Sequence, residues 1–290
     1  MYPAHQAPAW HPPPPAAVPP PPEPLRVLLD IPDLDDRDLA YVEEQKYWIA
    51  TKYGSRAEQV LDTPQFHDWL VAAEPRELLV HGDFRPTEAH HVSGLSLVCA
   101  TLARTLRARP RYLALVFFCG LHEGDDEDGP WGPDALVRSF AAQLLRQHPL
   151  AATEAELALA RTGDLGDACR LFVSLARRVP ADVTLVCIVD GIIHFEIDRF
   201  EDGMLEVLRC LLRLVRDESP DSARVKVLVT SATPTDSVQR EFLRYYDDDD
   251  EGDSRLIAME GLPVAGQGFA MGRMGGDLDS EPDLHSDDDR

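Results

Sequence analysis

Three short stretches carry residue types suited to chemistry: "HGDFRPTEAHHVS" from His81, "DGIIHFE" from Asp190 and "TSATP" from Thr230. Each ends an apolar run, closed by Val80, Val189 and Val229. The first begins as a phosphate-binding loop does, with a strand running into Gly82 and a helical pattern resuming near Val92. Such loops work because glycines let backbone N–H groups turn toward phosphate oxygens while a lysine adds a fixed positive charge. No lysine occurs between Gly82 and Arg104, so Arg85 is the cation left to replace it, as a guanidinium also binds phosphate well. Asp190 and Thr230 supply a carboxyl and a hydroxyl at the other two strand ends.

Other chemistries find less support. No G-x-S-x-G elbow exists to place a serine on a strained strand-to-helix turn. Asp190, Glu196 and Asp198 invite a nuclease reading, but a net charge of -23 opposes approach to a phosphate backbone. His81, His90 and His91, with Cys99 nearby, lack a settled ligand spacing, so no metal site is expected. Asp247 to Asp250 lack the alternating ligands and turn glycine of a calcium loop. The five cysteines sit in apolar segments without a CxxC pair and read as buried, reduced thiols.

Positioning those three strand ends takes a layered fold. Apolar runs at Glu77 to His81, Tyr112 to Cys119, 182–191 and 224–234 read as buried strands, with a short last strand at Leu256 to Met259. Between them come helical patterns over 36–54, 63–73, 92–108, 134–148, 166–179 and 204–219, with a looser one over 152–164. Strand and helix alternating in this way predict an α/β domain with a mostly parallel sheet, over residues 35–245. Residues 1–24 are a Pro-rich arm and 246–290 an acidic, Gly-rich tail, both expected to be disordered. The chain has no 18-residue apolar run and no signal-peptide pattern at its start, so it reads as cytoplasmic, with no membrane or nucleic-acid partner and protein partners of unknown identity.

The three strand ends, in this order, resemble the NACHT-like P-loop domain of fungal STAND proteins, the signal-transducing NTPases related to NOD-like receptors. The resemblance covers about residues 60–245 and includes the lead-in "QVLDTPQFHDWL". It implies a P-loop-NTPase-like fold with a phosphate loop at Gly82, a magnesium-holding acid at Asp190 and a third motif at Thr230. The charged members are eroded. Counted from Gly82, Thr87 falls at the second glycine, Glu88 at the lysine and Ala89 at the hydroxyl; Ile193 and His194 replace two acids after Asp190, and Ala232 replaces an arginine. A carboxylate about 4 Å from a phosphate adds on the order of 4 kcal/mol of repulsion at an effective dielectric near 20. The resemblance therefore implies a pseudo-NTPase, a non-catalytic interaction or scaffold domain without cofactor. The alternative is an atypical switch that binds ATP or GTP with magnesium through Gly82, Arg85, Asp190 and Thr230.

Overall fold

The computed structural model describes residues 25, 28–31, 33–49, 51–84, 91–124, 130–217, 223–244 and 255–262. Strands β1 (Arg76–His81), β2 (Tyr112–Phe118), β3 (Thr184–Asp190), β4 (Arg224–Ser231) and β5 (Leu256–Ala258) form one sheet in the order β2-β3-β4-β1-β5. Every pairing is parallel. The expected α/β class and its strands are therefore present, and the strand expected at 256–259 forms as β5 beside β1.

The helices around the sheet are α1 (Leu34–Gln45), α2 (Thr51–Glu58), α3 (Pro64–Val71), α4 (Gly94–Arg107), α5 (Gly132–Gln147), α6 (Glu154–Arg161), α7 (Leu165–Ala176), α8 (Glu201–Arg216) and α9 (Ser237–Leu243). The helix expected over 36–54 is two helices, with a turn at Lys46 to Trp48. The break lets both halves pack on α4, burying Leu39 and Val42 from α1 and Ala57 from α2. Tyr47 and Trp48, at the turn, stay 80% and 83% exposed.

Strand side chains alternate between two apolar layers, as the pleat requires. Leu78, Val80, Val116, Ile188 and Leu228 face a layer with α3 and α4, whereas Leu79, Leu115, Cys187, Val227 and Val229 face one with α5, α7 and α8. Crossover handedness explains the division. The chain steps from β1 outward to β2, then back through β3 to β4, and a right-handed crossover changes faces when its direction reverses. The carboxyl ends of β1, β3 and β4 consequently lie side by side, and the helices that follow β1 and β4 pack in opposite layers, the arrangement at which open parallel sheets form a crevice.

Two polar devices complete the sheet. Along the outer edge of β2, the Gln143 amide accepts from Val116 N–H at 2.9 Å and donates to its carbonyl at 2.8 Å, and Gln147 repeats this at Ala114. The glutamines thus occupy backbone groups that would otherwise template another strand. On β4, buried Lys226 donates to the carbonyls of Trp69 at 2.6 Å and Ala72 at 2.8 Å, at the end of α3, and burial pulls its pKa down to about 7. Asp35 on α1, also buried, is paired with Arg107 at 2.6 Å and Arg146 at 2.5 Å, tying that helix to α4 and α5.

Candidate functional site

Gly82 leaves β1 directly beside the end of β4. Its N–H donates to the Ser231 carbonyl at 2.7 Å, and Phe84 N–H donates to Ala232 at 3.2 Å. A Cβ at Gly82 would sit 2.5 Å from the Ala232 oxygen, so close backbone approach already requires glycine here. Arg85, together with Thr87, Glu88, Ala89 and His90, lies outside the described residues.

Asp190 closes β3 at 2% exposure. The register sets it next to Thr230, whose hydroxyl donates to its Oδ1 at 2.6 Å. Ser96 and Cys99, from the first turns of α4, hydrogen-bond the same carboxyl, and the Cys99 sulfur lies 3.8 Å from Thr230 Oγ1. Burial pushes the Asp190 pKa up, against hydrogen bonds from Ser96 and Thr230 and the charge of His194. Burial likewise raises the Cys99 thiol well above its ordinary range, with Asp190 adding to the effect. All four side chains are 2% exposed or less.

The start of α4 explains why Ser96 belongs to this cluster. Ser93 caps the helix: its hydroxyl accepts from Leu95 N–H at 3.2 Å, and its own N–H donates to the Ser96 hydroxyl at 2.9 Å. Counting an uninterrupted loop from Gly82 places the hydroxyl position at 89, whereas the helix begins five residues later, at Gly94, and presents Ser96 to Asp190. The signal available in sequence is the pair of serines, three apart, ahead of an apolar helical run.

Asp190 and Thr230 are thus brought together, with Gly82 near the end of the same strand pair. The nuclease reading is not assembled. Glu196 instead accepts the N–H groups of Asp236 at 3.0 Å, Ser237 at 2.5 Å and Val238 at 3.1 Å, capping α9, and Asp198 is exposed. His81 bonds Thr235 Oγ1 at 2.8 Å and burial lowers its pKa, so it is held as a neutral imidazole. His91 joins neither His81 nor Cys99. It faces Glu123 at 3.1 Å, and Glu123 faces His194 at 2.7 Å. Nothing in the sequence spacing indicates that trio, because its members come after three different strands.

All five cysteines are free and buried, as expected. No helix among the described residues is long and apolar enough to cross a membrane.

No curated protein and no solved structure matches the chain. Residues 55–232 match the family described as Nephrocystin 3, N-terminal. The matched span runs from α2 to the end of β4 and includes Gly82, Ser96, Asp190 and Thr230. Since it takes in well over half of the 290 residues, the chain belongs to the nephrocystin 3 N-terminal family.

Proposed function

We propose that this chain is a non-catalytic, P-loop-like interaction or scaffold domain, a pseudo-NTPase of the NACHT-like kind in fungal STAND proteins. The observation that carries the reading is the closed set of hydrogen bonds among Ser96, Cys99, Asp190 and Thr230. ATP or GTP with magnesium would need Asp190 and a helix-start hydroxyl turned toward the ion, and backbone N–H groups free for phosphate. The described residues do not fit that group. Asp190 is buried and its ionised form disfavoured, the Ser96 hydroxyl takes the Ser93 N–H, and Gly82 N–H is used by Ser231. The side-by-side ends of β1, β3 and β4 support a common origin with nucleotide-binding sheets.

The strong negative charge favours protein partners over nucleic acid or an anionic membrane, in a cytoplasmic setting. The test is titration of the full chain with ATP, ADP and GTP in magnesium, with thermal unfolding followed in parallel. No heat and no shift are expected at millimolar nucleotide. A ligand at a hundred times its dissociation constant would add about 2.7 kcal/mol of stability, so a clear upward shift would overturn the reading and direct attention to Arg85.

A further inference from the structure

The turns after β1, β2 and β3 bring His91, Glu123 and His194 together at the rim of the sheet. Each oxygen of the Glu123 carboxylate faces one imidazole Nδ1, at 3.1 Å for His91 and 2.7 Å for His194. One ligand atom from each residue lies within 4.8 Å of the other two. The histidine rings stack, with centroids 6.0 Å apart and planes inclined by 27°. Side-chain exposure falls from 60% at His91 through 33% at Glu123 to 16% at His194, so the group opens to solvent on one side only.

We infer that His91, Glu123 and His194 form a binding site for a divalent transition-metal ion, with zinc the best fit. Two imidazole nitrogens and one carboxylate oxygen are a borderline-soft set that suits zinc, cobalt or nickel, whereas calcium and magnesium call for oxygens. Tetrahedral zinc with bonds of about 2.1 Å spaces its ligands by roughly 3.4 Å, so the contacts of 3.1 Å and 2.7 Å need to open by about 0.3 and 0.7 Å. Three protein ligands leave a fourth position for water, on the exposed side.

The backbone holds this arrangement in place. A Cβ at Gly120, in the turn after β2, would lie 2.4 Å from the His91 carbonyl oxygen and 3.0 Å from His194 Nε2. Glycine there lets the β2 turn approach both histidines. Arg199 donates to the carbonyls of Glu123 and Gly124, and His122, the preceding residue, is fixed by Asp38 at 2.7 Å. Bound metal would join three loops that the sheet positions separately, and it would do so whether or not a nucleotide binds.

The test uses the full chain with Co²⁺, whose visible absorption reports nitrogen ligation, and then displaces it with Zn²⁺. One equivalent should bind with a nitrogen-ligand spectrum. His91→Ala, at a largely exposed position, and Glu123→Gln should each weaken binding by more than about 10-fold, the lower end of what losing even an outer partner of a ligand costs. Circular dichroism would check that both variants fold. Acidic runs elsewhere in the chain also attract cations, so equal binding by wild type and both variants would assign the ion to them and overturn the site. Absence of binding by wild type at millimolar metal would overturn it as well.

Discussion

Two polar clusters sit at the same end of the sheet and differ in almost every physical respect. Ser96, Cys99, Asp190 and Thr230 are 2% exposed or less and bond one another. His91, Glu123 and His194 lie further out, open to water on one side. The inner cluster occupies the place where open parallel sheets hold ligands, yet its donors and acceptors are consumed internally. The outer one is also paired internally, Glu123 with both histidines, but solvent reaches it and an ion can replace those contacts. A strand-end position therefore does not by itself make a site; what matters is whether its paired polar groups are sealed from solvent or open to exchange.

The largest contrast should come from truncating the inner carboxyl. Asp190→Ala leaves the Thr230 and Ser96 hydroxyls without their buried acceptor, at about 1–3 kcal/mol for each orphaned group. We expect a loss of roughly 3 kcal/mol in urea unfolding, with any cellular activity kept by the molecules that still fold. A neutral stability effect would show that the inner cluster is not a closed unit.

Asp190→Asn sharpens the same point through pH. Because burial raises the folded pKa, the folded state holds its proton more tightly than the unfolded chain does. The stabilisation is complete below the unfolded value near 3.9 and is lost as pH rises through the folded value, at no more than about 1.4 kcal/mol per pH unit. The asparagine variant should lack this component while keeping the fold. Identical pH profiles for the two proteins would count against a protonated carboxyl.

How much of this is legible in sequence differs between the clusters. The strands are readable because buried parallel strands are continuous apolar runs, and Asp190 and Thr230 are readable as the polar residues at the ends of two such runs. Ser96 is obscured because a count from Gly82 assumes a loop of fixed length, and only the helix start at Gly94 corrects it. The turn at Lys46 to Trp48 is hidden inside an unbroken helical pattern, and α9 is short, with its cap supplied by Glu196 from forty residues away. The outer trio is invisible in sequence, since strand order alone brings 91, 123 and 194 together. Family membership is established as nephrocystin 3 N-terminal, while the finer NACHT-like resemblance rests on eroded motifs.

The helix start separates capping from ligand binding. Ser93→Ala removes the acceptor for Leu95 N–H and should cost about 1 kcal/mol, whereas Ser93→Asp, another good cap, should restore most of it. Equal losses in both would mean that the serine is held for a reason other than its cap, and the inner cluster would then be less self-contained than its hydrogen bonds indicate.

The smallest expected effect tests the outer cluster. With a chelator present to exclude metal, His91→Ala should change stability by no more than about 0.5 kcal/mol, because an exposed pair between an imidazole and a carboxylate contributes little in water. Denaturant unfolding beside Asp190→Ala would place the two clusters on one scale. If His91→Ala cost as much as the inner truncation, the rim would be part of the structural core and its ligand atoms would already be committed. A near-zero cost leaves them available, which is the condition a binding site at the rim requires.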